Sequence, residues 1–347
     1  MNRKNMFAGL KASMMAVALT ALAACDRNDV QSISGVIWGT SYHITAIGDV
    51  KADTGALIVA TLDTLNESLN MFESSTEIGR FNRDGEADVS GDFMAVLGES
   101  RTISRLTGGA FDPTVGPLIE YWGFGTSKDI DNTADTTALK QIMKAVGLEN
   151  ISATGNHVVR LNPESRLDFG AIAKGHAVDR VTESLARIGY QSAMVEIGGE
   201  VRTFGPNPDG QRWLIQIDAP VRDRSGNHVR LGILELSDGA VATSGNYRNF
   251  RELPDGRIVG HTVSPVTGTP IETDILSATI IGSTCMRADA LATATMVMGE
   301  EKSTALLDSL IRILDSGVYG AILVTSDDSI NMIGLPSEHA KFTPTAK

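Results

Sequence analysis

Two cysteines in 347 residues decide how this chain must hold itself together. The first, Cys25, closes a leader. Arg3, Lys4 and Lys11 make a basic start, and residues 14–24 are small and apolar. That stretch is too short for a membrane-spanning helix and suits the apolar region of an export signal. The leader ends Leu22-Ala23-Ala24-Cys25, small residues ahead of a cysteine, which is the pattern of a lipobox. Cleavage there leaves Cys25 to carry acyl chains; the competing reading is a plain signal peptide with an incidental cysteine. With Cys25 acylated, Cys285 has no partner in the chain. An exported body of this size must then stand on an apolar core and not on disulfides. The leader is residues 1–24, residues 25–32 read as a short polar tether, and 33–347 as one large domain or two intertwined ones.

Several acyl chains anchor a protein stably where one does so only marginally. Asp26, directly after the cysteine, resembles a retention signal for the inner membrane. The expectation is a lipid-anchored protein on the periplasmic face of that membrane. Losing the leader removes three cations and no acid, which takes the formal charge from −12 to −15. So acidic a body excludes nonspecific nucleic-acid binding and makes the lipid, not a basic patch, the membrane contact.

Apolar periodicity sketches the elements. Residues 33–47 alternate around Gly39-Thr40 and read as a strand or hairpin. Helical spacing runs through 52–72, 93–106, 136–146, 173–188, 287–298 and 304–313. Strand signals fall at 158–161, 166–169, 193–197, 214–217, 231–236, 258–263, 276–281, 320–325 and 329–333, and 126–134 reads as a loop. The mixture lacks a steady βαβ rhythm, which favours α+β over a doubly wound sheet. No G-x-G-x-x-G follows a strand, and P-loop, H-E-x-x-H, C-x-x-C and G-x-S-x-G motifs are all absent.

What the chain does carry is a set of glycine-rich turns loaded with oxygen ligands. Residues 108–117 and 121–125 surround Asp112, which could accept from a ligand or simply satisfy its own turn. Residues 167–175, with Asp168 and Lys174, lead into a helix whose first amides suit phosphate; the structural alternative is an ordinary strand-to-helix connection. Residues 195–200 place Gly198-Gly199 at a strand end, for close ligand approach or a tight turn. Residues 242–247 form a further such turn. In residues 261–268, His261 precedes a Pro and Gly turn and can be a base, a phosphate contact or a turn cap. Asp289 and Thr293 lie four apart on one helix face. Carboxylate plus hydroxyl is a hard-oxygen pair suited to magnesium, or a buried capping interaction.

Together F-D-P-T-V-G-P-L, W-G-F-G, L-D-F-G-A-I-A-K-G, V-E-I-G-G-E, T-S-G-N-Y, H-x-x-x-P-x-T-G and A-D-A-L-A-T-A resemble the ApbE family of FAD:protein FMN transferases, from about Gly35 to Ile333. The resemblance implies an α+β protein of mixed sheets with flanking helices and an FAD cleft between two intertwined subdomains. It implies Mg2+ on the Ala171 carbonyl, Asp289 and Thr293. FAD, as substrate, would meet Trp38, Ala110, Phe111, Asp112, Asp168, Lys174 and the neighbourhood of His261 and Thr262. Two positions depart from the family pattern: Trp38 stands where methionine is common, and Ser264 where aspartate is. The implied reaction is attack by a protein threonine hydroxyl on the FMN phosphorus of FAD, with AMP leaving and His261 as candidate base. Helix-start amides near Ala173 would hold the diphosphate. Implied acceptors are flavin subunits of membrane redox complexes or periplasmic reductases. The rivals are an FAD pyrophosphatase and a non-catalytic flavin-binding lipoprotein.

Overall fold

The computed structural model describes residues 18–19, 30–50, 52–125, 136–221, 228–247, 249–253, 256–313 and 315–345. Cys25, nearly all of the leader and tether, and the expected loop at 126–134 lie outside the described residues.

The scaffold is a nine-strand sheet. Its spatial order is Ala18–Leu19, Val30–Ile37, Thr40–Ile47, Ser192–Ile197, Glu200–Phe204, Ala240–Gly245, Ile275–Gly282, Val318–Thr325 and Ile330–Ile333. Every adjacent pair runs antiparallel. Two of its hairpins turn by the same device. Trp38-Gly39 has φ of +50° and +76°, and Gly198-Gly199 has +64° and +102°. Two left-handed residues in a two-residue loop match the twist of the flanking strands. Trp38 is an unusual occupant of that conformation, which glycine and asparagine prefer.

Both faces of the central strands are covered, and the period of two in a strand separates them. Ala278 and Ile280, like Ala321 and Leu323, join a large core beneath the helices Thr54–Leu69, Gly91–Leu106, Ala173–Arg187, Cys285–Met298 and Glu300–Arg312. Their neighbours Ile281 and Ile322 point the other way. There they meet Ile217, Leu234, Leu236 and Phe342 from a small sheet of Trp213–Asp218, Arg230–Leu236 and Ala340–Pro344. A third cluster joins Leu118 and Trp122 to Leu253 and Val263, with Leu139, Ile142 and Met143 packed on it. Two separate stretches of chain thus build one lobe beside the main body, and the class is the α+β expected.

Within the helical layer, Ala173–Arg187 and Cys285–Met298 pack unusually close. A Cβ on Gly175 would collide with the Cys285 carbonyl oxygen. Only glycine permits this approach, and it sets the distance between the two helices that carry Lys174 and Asp289.

Some expected elements differ. Residues 166–169 are not a strand; Arg166 makes an isolated bridge to Val115. The Asn82 side chain takes the backbone of Leu167 instead, donating to its carbonyl at 2.8 Å and accepting its N–H at 2.7 Å. The strand expected over 258–263 stops at Gly260. The helix Glu77–Asp84, unforeseen, is capped by Thr76 accepting from Gly79 and ends at Gly85 in the left-handed conformation.

Candidate active site

A cleft of about 450 Å³ opens where the two close helices meet the sheet's strand ends and the third lobe. It is the size of small-molecule sites. The expected site residues Ala110, Phe111, Asp112, Asp168, Ala171, Lys174, His261, Thr262, Asp289 and Thr293 all line it. Trp38 does not; its Nε1 donates to Asn66 Oδ1 at 3.0 Å while its ring packs on the core beside the hairpin turn.

The deepest charged group is the trio Lys174, Glu200 and Asp289. Asp289 is 3 % exposed, on the inner face of its helix. Its Oδ2 accepts the Gly175 N–H at 3.0 Å and stands 3.7 Å from Lys174 Nζ. Lys174 donates to Glu200 Oε1 at 2.9 Å. Burial alone would lower the Lys174 pKa, but the carboxylates of Asp289 and Glu200 outweigh it and hold the ammonium firmly charged. Burial pushes Glu200 upward, with Asp289 adding to the rise and Lys174 opposing it. One helical turn beyond Asp289, Thr293 Oγ1 lies 3.0 Å from Ser244 Oγ. Asp289 and Thr293 thus face the cleft together, as their spacing requires.

The two other carboxylates shape the wall. Asp112 Oδ1 accepts both the N–H and the hydroxyl of Thr114, and its Oδ2 accepts the Leu148 N–H at 3.2 Å. These bonds satisfy its turn, while burial raises its pKa against them. Asp168 Oδ1 accepts from the Gly170 N–H at 2.7 Å, and burial raises Asp168 as well. Two of the first three helix amides are taken within the fold, which leaves the Lys174 N–H for a phosphate. Ala173 N–H goes to the Phe169 carbonyl and Gly175 N–H to Asp289. The anion-holding charge on this side of the cleft is the Lys174 side chain.

His261 sits across the cleft. Its Nδ1 is 3.2 Å from the Asn249 carbonyl. A carbonyl can only accept, so Nδ1 carries the proton and Nε2 keeps its lone pair. Burial lowers the His261 pKa; the Asn249 carbonyl opposes that and Lys174 adds to it. The imidazole is therefore neutral near neutral pH. The Phe124 ring packs edge-on against it at 6.4 Å. Thr262 donates to Asn246 Oδ1 from its hydroxyl at 2.8 Å and from its N–H at 3.2 Å, which fixes the strand end beside His261. Ser264 closes the turn that follows, where its Oγ accepts the N–H groups of Val266 and Thr267, each at 3.2 Å. A hydroxyl serves this turn as an aspartate carboxylate would.

Several cleft residues carried no separate signal in the sequence. Glu200 stood inside a motif without a role of its own. Phe72, 64 % exposed at the mouth, read as a helix end. Ile119, Phe124 and Tyr247 add apolar wall, the lining a planar ring system needs.

Four carboxylates, Asp112, Asp168, Glu200 and Asp289, thus line the cleft, and two of them, Glu200 and Asp289, reach Lys174. No group of three or more His, Cys, Asp or Glu able to hold a metal occurs among the described residues. A cation here would rely on Asp289 together with hydroxyl and carbonyl oxygens. That is a hard-oxygen set, and Mg2+ takes few protein ligands because it keeps waters and substrate phosphates. The residues present fit such an ion.

Known proteins share this arrangement of sequence and fold. The ApbE family model matches residues 38–314. The FAD:protein FMN transferase of Vibrio cholerae is 37 % identical over 300 residues, covering 84 % of this chain and 89 % of that protein. The protein of the same description from Haemophilus influenzae is 33 % identical over 314 residues, covering 86 % and 89 %. The solved flavin transferase ApbE of Vibrio cholerae superposes with a TM-score of 0.76 at 32 % identity, over 88 % of this chain and 96 % of that one. The apo flavinyl transferase ApbE of Pseudomonas stutzeri gives a TM-score of 0.76 at 29 % identity, over 90 % and 97 %.

Proposed function

Because this chain belongs to the ApbE family, we propose that its cleft binds FAD together with a divalent cation, Mg2+, which the oxygens of Asp289, Thr293 and the Ala171 carbonyl would hold and which would supply positive charge to the diphosphate. The chain is an FAD:protein FMN transferase. The observation that supports the cation is charge. Lys174 is already shared between Glu200 and Asp289, and a diphosphate adds more negative charge to a partly buried space. Like charges so close are costly to bring together without a counter-ion.

In the proposed reaction the hydroxyl oxygen of an acceptor threonine attacks the phosphorus of the FMN half. The bond from that phosphorus to the bridging oxygen breaks, and AMP leaves with the bridging oxygen. The hydroxyl proton passes to His261 Nε2, whose lone pair is kept free by the Asn249 contact. Lys174 holds the negative oxygens from the opposite wall. Bound Mg2+ would neutralise charge on the diphosphate. Catalysis of this kind is mostly positioning and charge stabilisation. FAD contacts are proposed at Ala110, Phe111, Asp112, Asp168, Lys174 and Thr262. Trp38, at its hairpin turn, is proposed as a further contact.

Incubating the protein with FAD, Mg2+ and a threonine-bearing acceptor domain should add the mass of FMN less one water to the acceptor, read by intact-mass spectrometry. EDTA, or substitution of the acceptor threonine, should abolish the added mass. AMP and free FMN beside an unmodified acceptor would replace transfer by hydrolysis.

Export and anchoring through acyl chains on Cys25, with the domain on the periplasmic face of the inner membrane, complete the proposal. The motif at residues 22–25 supports it, and among the described residues no helix is long and apolar enough to cross a membrane. The acceptors proposed are flavin subunits of membrane redox complexes or periplasmic reductases. Cys25→Ser should shift the protein from the membrane pellet to the soluble fraction on cell fractionation; unchanged sedimentation would remove the lipid anchor.

A further inference from the structure

Lys174 reaches two carboxylates at once, and one of them is needed elsewhere. Its Nζ is 2.9 Å from Glu200 Oε1 and 3.7 Å from Asp289 Oδ2. Lysine is a compact point charge on a flexible stem, free to exchange partners unless something holds it. An ammonium seated directly on Asp289 would compete with a divalent cation for the same oxygens. We infer that Glu200 is a positioning residue that holds the Lys174 ammonium off Asp289 and so keeps Asp289 open to the cation. The inference rests on Asp289 being a cation ligand.

Three observations point to this role. Glu200 is 4 % exposed and opens the strand directly after the Gly198-Gly199 turn, opposite Ile197, so its backbone is fixed. Its Oε1 takes the lysine, while its Oε2 is buried with no hydrogen-bond partner. A buried carboxylate with one oxygen unpaired costs stability, and an apolar side chain would serve a purely structural position better. Finally, the lysine stem runs past Gly198, where a Cβ would lie 3.3 Å from Lys174 Cδ and 3.0 Å from Thr40 Cγ2. The glycine turn leaves room for the stem to lie toward Glu200. With Glu200 neutral, the remaining carboxylate within reach of the ammonium is Asp289.

The test measures Mn2+ binding to the purified full chain by electron paramagnetic resonance, with Mn2+ standing in for Mg2+ and no turnover required. Glu200→Gln keeps the side-chain shape and should weaken Mn2+ binding at least about tenfold, the scale of one close charge contact at the effective dielectric of a protein site. Adding Lys174→Met removes the competitor, and the double variant should return to within about threefold of the parent, the coupling expected of two groups acting through one contact. Parent-like binding by Glu200→Gln overturns the inference. So does a double variant as weak as the single one, since Glu200 would then act on the ion or the fold directly. Asp289→Asn distinguishes the underlying reading: Mn2+ binding that survives it removes the Asp289 cation site, and the role of Glu200 with it.

Discussion

Asp289→Ala should abolish transfer, lowering kcat/KM by about 10³-fold or more, since the substitution removes the one carboxylate of the proposed cation set and so the cation whose positive charge would balance a diphosphate. The same carboxylate also has a structural role. Its Oδ2 accepts the Gly175 N–H at 3.0 Å, across the contact where the two central helices touch. Alanine leaves that buried donor unpaired, at a cost of about 1–3 kcal/mol. Loss of activity in the alanine variant alone therefore mixes chemistry with folding. Asp289→Asn separates them, because an amide oxygen still accepts from Gly175 but carries no charge. The asparagine variant should melt near the parent temperature and still transfer no FMN at any Mg2+ concentration. Transfer at close to the parental rate, with the metal requirement intact, would remove Asp289 from the site.

How far this cleft could be read from the chain depends on how local each signal is. Asp289 and Thr293 were legible because four residues on a helix fix a shared face, whatever surrounds them. The two hydroxyl and carboxylate groups do meet in the cleft, beside Ser244. The helix start was legible only in part, for the opposite reason. Its amides looked free from the local pattern, but the acceptor that takes Gly175 lies 114 residues further along. Nothing in the segment itself announces that partner. Trp38 is a third case. Its place in a family-like motif suggested a flavin contact, and the structure adds what that motif does not announce: a backbone at φ +50° in a two-residue turn, with the indole bonded to Asn66. Asn-Gly or Asp-Gly would have signalled that turn; Trp-Gly does not.

The fold shows the same division. Strands buried on both faces, such as Ile275–Gly282 and Val318–Thr325, are runs of apolar residues and are legible nearly whole. Ala340–Pro344 is not, since its lysine, threonine and proline read as a tail. It is an edge strand, where proline is tolerated, and Ala340 and Phe342 are the residues it buries against the second core. The helix Glu77–Asp84 carried both its start and stop signals, Thr76 and Gly85, and was there to be read. The lobe around Trp122 was the hardest case, because its core joins stretches more than a hundred residues apart, as Trp122 Nε1 does in donating to the Gly268 carbonyl at 2.8 Å.

That lobe matters because it carries the proposed base. His261→Ala should lower kcat by about 10²- to 10⁴-fold, the range for removing a general base, with little change in the KM for FAD. The larger signature is in the pH profile. Burial lowers the His261 pKa, the Asn249 carbonyl opposing and Lys174 assisting. A base works in its deprotonated form, so the parent rate should rise with pH through a midpoint below the ordinary histidine range and stay level above it. Near neutral pH the imidazole is then already neutral and the enzyme already on its plateau. In the alanine variant the residual rate should lose that acidic limb and respond to pH only through hydroxide or the acceptor. The Phe124 ring, edge-on to the imidazole, and the Asn249 carbonyl on Nδ1 fix which nitrogen faces the substrate. A variant that keeps both the parental rate and the acidic limb would show that the proton leaves by another route, and the cleft wall offers the carboxylates of Asp168 and Asp112 as other acceptors.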